Sequence, residues 1–344
     1  MTDVTHGSLE ANGIEIHYAE LGEGPLVVLC HGFPESWYSW RHQLEAISGA
    51  GYRAVAIDQR GYGRSSKPRS NDAYRIGRLV DDVVAVVRAY GYDTATVIGH
   101  DWGSPVAWTA AWLHPDVFDG VMGISVPFAR RGQIALPGNP FGEFRPAEYH
   151  RVIAGPGQTF YQEYFAAQDA VIDEIEMDLG RWLTGLLYSV SGDALAQVSP
   201  AREQDPIEQL RHGPLCVPDG ARMCEAFAYP ETLPDWLHAE DLAFYVDEFE
   251  RTGFGGPLSY YHNIDANWHD LAEQDATPLQ VPGCFIGGEF DVGTAWGAEA
   301  IARASEVMTD YLGSRIISGC GHWIQQERPR ETNALILDFL ARVR

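Results

Sequence analysis

The sequence predicts an α/β protein: a mostly parallel, doubly wound sheet with an inserted helical cap. Three observations carry this. Short apolar, β-branched runs alternate with helical patterns from residue 25 to 127. The alternation stops near Phe128, and loops rich in Pro and Gly then lead into helical stretches as far as Ile264. It resumes towards the C-terminus. The expected division is a core of residues 1–128 and 265–344, interrupted by a cap of residues 129–264.

The elements follow in order. Leu9 to Tyr18 alternates about Asn12-Gly13, a strong hairpin signal. The run from Pro25 to Cys30 is apolar on both faces, as a strand covered by helices on each side must be. It ends in the turn His31-Gly32-Phe33-Pro34. A helix is expected from about Ser36 to Ser48, then a buried strand from Ala54 to Ile57. Ile76, Leu79, Val80, Val83, Val84, Val87 and Tyr90 recur at helical spacing, and Gly91 stops that helix. A strand from Thr94 to Ile98 is cut by Gly99. Ser104 to Leu113 reads as a helix with Pro105 in its first turn, and Gly120 to Pro127 as a strand. In the cap, Phe160 to Leu187 and Ala239 to Arg251 are the clearest helical stretches, with no strands expected between them. Beyond it come a strand from Val281 to Gly288, a helix near Gly297 to Val307, a strand from Arg315 to Ser318, and a final helix from Glu331.

Composition narrows the function. Among 344 residues, 48 acids face 24 lysines and arginines, a formal charge of −24. Nucleic acid and anionic membrane both need basic patches, so neither is an expected partner. The five cysteines are scattered without a C-x-x-C pair, and His262 and His269 lack a third ligand, so no metal is expected. No organic cofactor is implied. Neither a signal peptide nor a run of transmembrane length is evident, which makes the cytoplasm the expected location.

The chemistry centres on Gly99-His100-Asp101-Trp102-Gly103. Strand, sharp turn and helix, with small residues flanking one reactive side chain, is the nucleophile-elbow pattern. The usual serine is replaced by Asp101. A carboxylate attacking a carbonyl would give a reactive anhydride, whereas attack at saturated carbon gives a stable alkyl ester. Ligands of an open parallel sheet bind beyond the carboxyl ends of its strands. There the chain brings Asp101, Asp291 and His322 in the order expected of an α/β-hydrolase triad. His322 would activate water to split the ester, with Asp291 orienting it; Glu289 is the alternative orienter. Backbone N–H groups of Phe33 and Trp102 would hold the oxyanion, worth about 3 kcal/mol each. His31 and His100 read as structural hydrogen-bonders. Trp37, Trp40, Phe160, Trp182, Leu186 and Leu187 are candidates for an apolar pocket.

His31-Gly32-Phe33-Pro34-Glu35, Asp58-Gln59-Arg60-Gly61-Tyr62-Gly63, His100-Asp101-Trp102-Gly103 and Gly321-His322-Trp323 together resemble the α/β-hydrolase-fold epoxide hydrolases. The resemblance is to the soluble branch, nearest its mycobacterial and actinobacterial enzymes, and covers nearly the whole chain. It implies hydrolysis of a small-molecule, apolar epoxide to a vicinal diol through an ester on Asp101. Tyr161-Gln162-Glu163-Tyr164-Phe165 is similar to the segment supplying one tyrosine to the epoxide oxygen. Gly256-Pro257-Leu258-Ser259-Tyr260-Tyr261-His262-Asn263 is similar to the segment supplying the second. The resemblance therefore implies Tyr161 and Tyr261, with Tyr164 and Tyr260 as neighbouring alternatives. Haloalkane dehalogenases share the elbow motifs, but Phe33 stands where they often carry a halide-binding Asn. A dehalogenase and a catalytically silent ligand receptor on this fold are the rival readings. A homodimer, through an exposed cap or through the loop near Leu136 to Phe144, is a further expectation.

Overall fold

The computed structural model describes residues 4–129, 145–198, 211 and 213–343. Two antiparallel strands open the chain, β1 (Thr5–Ala11) and β2 (Ile14–Leu21). Asn12 and Gly13 join them with φ of 51° and 75°. Positive φ at both central residues is what a two-residue hairpin turn requires. The core strands follow: β3 (Leu26–Cys30), β4 (Arg53–Ile57), β5 (Ala95–His100), β6 (Phe118–Ile124), β9 (Gly283–Gly288) and β10 (Tyr311–Ile317). Among the described residues the sheet has eight strands in the order β1-β2-β4-β3-β5-β6-β9-β10, and every pair from β4 to β10 is parallel.

The helices α1 (Arg41–Gly49), α2 (Ile76–Ala89) and α3 (Gly103–Leu113) connect the first parallel strands. Alternating side chains explain why those strands are apolar throughout. Val28, Val55, Val97 and Val121 face a core shared with Val80, Val83 and Val87 of α2 and Val106 and Ala110 of α3. Val27, Leu29, Ile98 and Met122 face the opposite core, with Leu44 and Ile47 of α1. Phe339 and Leu340 of the C-terminal helix complete that second layer.

Between β6 and β9 the described chain forms α4 (Pro146–Ala154), β7 (Gln158–Phe160), α5 (Tyr161–Ala166), α6 (Asp169–Met177), α7 (Leu179–Ser189), α8 (Gly192–Val198), β8 (Cys216–Pro218), α9 (Ala239–Thr252), α10 (Gly255–His262) and α11 (Ile264–Asp270). Two expectations are corrected here. The segment does contain strands, since β7 and β8 pair antiparallel; at three residues each they are too short to show a period. The stretch from Phe160 to Leu187 is three helices, broken where Gln168 takes φ 48° and where Asp178 caps α7. The loop near Leu136 to Phe144, expected to support a dimer, lies outside the described residues.

After β9 come three short helices, α12 (Val292–Trp296), α13 (Ala298–Ala302) and α14 (Ala304–Val307), the last two standing where one was expected. Two helices close the chain, α15 (Ile324–Glu327) and α16 (Pro329–Arg342). The expected helix from Ser36 likewise begins as a 3-10 turn, Trp37–Trp40, capped by Ser36 on the Tyr38 N–H.

Candidate active site

The turn between β5 and α3 places Asp101 at φ 48°, a left-handed conformation costing a non-glycine residue about 1–3 kcal/mol. Close packing holds it there. A Cβ on Gly99 would lie 1.9 Å from the Gly103 carbonyl oxygen, and one on Gly103 would lie 2.0 Å from that of Cys30. Only glycine lets strand, turn and helix approach this closely, and the carboxylate at the apex projects beyond the strand ends.

There it meets groups from three other strand ends. Phe33, after β3, donates its backbone N–H to Asp101 Oδ1 at 2.8 Å, and the Trp102 N–H also hydrogen-bonds the carboxylate. His322, after β10, faces Asp101 Oδ2 with Nε2 at 3.7 Å. Its Nδ1 lies 2.9 Å from Oδ1 of the fully buried Asp291, after β9. Asp291 is also the N-cap of α12, accepting the N–H groups of Gly293 and Thr294 and the Thr294 hydroxyl. The alternative orienter, Glu289, instead accepts from Ser318 Oγ at 2.7 Å and the Gly319 N–H at 2.9 Å.

Electrostatics follow from burial and pairing. Burial pushes the Asp101 carboxyl above the usual carboxylate range, a rise restrained by the two nearby histidines and the two amides. Burial alone would disfavour a charged His322. The hydrogen bond and charge of Asp291, with the charge of Asp101, outweigh it and push the imidazole up to about 9.

Tyr161 opens α5 and Tyr261 lies in α10, their ring centroids 6.3 Å apart. Both line a cavity of about 70 Å3 whose polar residues include Asp101, Asp291 and His322. Phe33, Phe165, Leu186, Leu215 and Met223 form much of its apolar wall, and among the described residues no lysine or arginine lines it. Burial, then the charge of Asp101, raises the pKa of both phenols, so each keeps its proton at neutral pH. The neighbouring tyrosines point elsewhere. Tyr164 donates its hydroxyl to Glu174, and Tyr260 donates to the Arg60 carbonyl at 2.9 Å.

The expected pocket needs correction. Leu186 lines the cavity, but Trp37 and Trp40 lie in the opposite core with Leu44 and Ile47. An aromatic at the start of a helix does not reveal which face of the sheet it will cover. Trp182 stands behind the wall, its ring 6.5 Å from Phe33 and 6.4 Å from Phe165. Phe160 packs with Ile153 and Cys216, and Leu187 with Trp236 and Trp323, so neither reaches the cavity.

His100 is the structural hydrogen-bonder expected, but sequence reading missed the network it joins beneath His322. His100 Nε2 lies 2.8 Å from the His322 carbonyl oxygen, and its Nδ1 lies 2.8 Å from buried Glu35. Glu35 also accepts from the Gly32 N–H and from the side-chain amides of Gln325 and Gln326. The chain leading from α7 into α8 grips the same loop: Val190 accepts the His322 N–H at 3.0 Å, and Leu187 accepts the Trp323 indole at 2.7 Å. Glu327 joins the two segments by accepting from the N–H groups of Gly192, Gly321 and Trp323. The available signal was a set of buried polar residues beside the strand ends.

Comparison with known proteins places this geometry. A family profile described as the alpha/beta hydrolase fold matches residues 25–172. Epoxide hydrolase B of Mycobacterium tuberculosis is 60% identical, over 98% of this chain and 99% of its own length. The chain belongs to the epoxide hydrolases of the α/β-hydrolase fold. Epoxide hydrolase A of the same organism is 36% identical over 98% of this chain and 97% of its own. The solved epoxide hydrolase from an endophytic Streptomyces superposes with a TM-score of 0.89 at 44% identity, covering 99% of this chain and 96% of that one. The family resemblance read from the motifs, actinobacterial relatives included, is thereby shown. Within this epoxide hydrolase fold the nearest elbow hydroxyl, Ser104, is fully buried and donates to the Val126 carbonyl at 2.6 Å. It is not placed as a nucleophile. Among the described residues no helix is long and apolar enough to cross a membrane.

Proposed function

We propose that the protein hydrolyses a small, apolar epoxide to a vicinal diol through an ester on Asp101. Oδ1 is held by the Phe33 N–H and becomes the ester carbonyl oxygen; Oδ2, turned towards His322, attacks the epoxide carbon. As the carbon–oxygen bond of the ring breaks, Tyr161 and Tyr261 hydrogen-bond the departing oxygen, and one of them gives it a proton. Water then enters. His322 Nε2 takes its proton while the hydroxide adds to the ester carbonyl carbon, and the Phe33 and Trp102 N–H groups stabilise the oxyanion on Oδ1. The ester C–O bond breaks, and the imidazolium gives its proton to the departing diol oxygen. The Asp101 carboxyl group left by hydroxide addition returns a proton to His322, which regenerates the carboxylate. Asp291 fixes the imidazole tautomer and stabilises its charged form.

One observation carries this reading: a carboxylate nucleophile faces two protonated phenols across an apolar cavity. A halide would leave without a proton, so the paired phenols favour an epoxide over the dehalogenase reading. A silent receptor would have no use for the base and its orienter. The support of the His322 loop by Glu35, His100, Gln325 and Gln326 suits a catalytic core of residues 1–128 and 265–344, with both phenols supplied by a cap of residues 129–264. Five free cysteines, four of them buried, suit a reducing cytoplasm.

A single turnover in heavy-oxygen water tests the chemistry. Label is expected in the Asp101 carboxylate, with an unlabelled first diol. Label in the diol of the first turnover would overturn the ester mechanism.

A further inference from the structure

A hydroxyl that must give its proton to a substrate is useful only if nothing closer takes that proton. Tyr161 meets this condition through its neighbour in sequence. Gln162 is 6% exposed, and its Nε2 donates to Tyr161 Oη at 2.9 Å. A phenol has one proton to give, and its oxygen can accept. With the amide N–H on that oxygen, the phenolic proton is directed away from Gln162, and the ring lines the cavity that holds Asp101. The other amide atom, Oε1, is buried with no hydrogen-bond partner among the described residues. A reversed amide would bring that acceptor to the phenolic proton and hold it away from the epoxide. The observed orientation instead leaves a buried acceptor unmet, a feature native structures show rarely and often at functional positions. The second phenol has a comparable neighbour, since the Trp102 side chain hydrogen-bonds Tyr261.

We propose that Gln162 is a positioning residue for ring opening. Its amide N–H holds the Tyr161 oxygen as an acceptor, aims the phenolic proton at the epoxide oxygen, and stabilises the charge left on the phenol. Gln162 acts through Tyr161 alone and takes no part in ester hydrolysis. The proposal rests on Tyr161 being a proton donor to the epoxide, and its test separates the two ideas.

The test is single-turnover formation of the Asp101 ester with styrene oxide, followed by intact-protein mass in wild type, Gln162→Leu, Gln162→Glu, Tyr161→Phe and Tyr161→Phe/Gln162→Leu. Gln162→Leu should slow ester formation about ten-fold, the loss of one well-aimed hydrogen bond, with substrate affinity and ester hydrolysis unchanged. Gln162→Glu should slow it further, because a carboxylate accepts the phenolic proton. In the Tyr161→Phe background, Gln162→Leu should add nothing. An equal loss in that background would reduce Gln162 to packing, and a Gln162→Glu variant as fast as wild type would show that the side chain accepts; either overturns the proposal. An unchanged Gln162→Leu rate beside a slow Tyr161→Phe overturns it alone. An unchanged Tyr161→Phe rate overturns the donor reading of Tyr161 and this proposal with it. Gln162→Met repeats the comparison should the leucine variant not fold.

Discussion

Replacing Asp291 by Asn isolates the second half of the reaction. The side chain is fully buried and accepts four hydrogen bonds, one from His322 and three from Gly293 and Thr294. Asparagine keeps the volume and can still accept at one oxygen, so the cap of α12 is weakened but not removed. What is lost is the negative charge against the imidazole. A hydrogen bond to a charged group contributes about 1.5–3 kcal/mol, which corresponds to roughly a 10- to 150-fold slower ester hydrolysis. If the amide turns its NH2 towards His322 and imposes the wrong tautomer, the loss approaches about 10⁴-fold. Ring opening needs only Asp101 and the phenols, so its rate should change less than about three-fold. Stopped-flow kinetics with mass detection should therefore show normal ester formation followed by accumulation of the ester. Equal slowing of both steps, or hydrolysis at the wild-type rate, would refute the assignment of Asp291 to the base.

Three further outcomes are expected. The pKa of His322, raised to about 9 from an unfolded value near 6.5, gives stability fully present below about pH 6.5 and lost as pH rises through about 9. Thermal melts across that window should show the decline in wild type and a smaller one in Asp291→Asn. A Tyr161→Phe/Tyr261→Phe variant should fold, since phenylalanine keeps both rings in the cavity wall, yet lose ring opening by at least about 100-fold in a diol assay, each phenol contributing at least a factor of ten. Gly99→Ala should destabilise the fold by more than about 3 kcal/mol in denaturant melts, because its Cβ would sit 1.9 Å from the Gly103 carbonyl oxygen.

The parts legible in the sequence are those encoded by short-range pattern. Helix-covered strands such as Leu26–Cys30 announce themselves as unbroken apolar runs, and the elbow by two glycines around one acid. The paired strands Gln158–Phe160 and Cys216–Pro218 were invisible because three residues carry no period and helices α5 to α8 lie between the partners. Trp37 and Trp40 were assigned to the wrong side of the sheet for a related reason: the sequence says they are buried, not where. Glu35 escaped notice because its partners Gln325 and Gln326 lie 290 and 291 positions away. Which buried polar groups meet is a property of the tertiary structure, and Gln162 was conspicuous only once its unmet oxygen could be seen.

The grip of residues 187–192 on the His322 loop has a consequence for traffic. The main chain of the base is tied to Val190, the indole of Trp323 to Leu187, and Glu327 to Gly192. Any movement that peels this segment from the sheet breaks these ties and releases the imidazole from its register with Asp291. An open doorway on that side and a working base are therefore mutually exclusive. Epoxide and diol must pass through a gap elsewhere, or exchange only in moments when the enzyme cannot turn over.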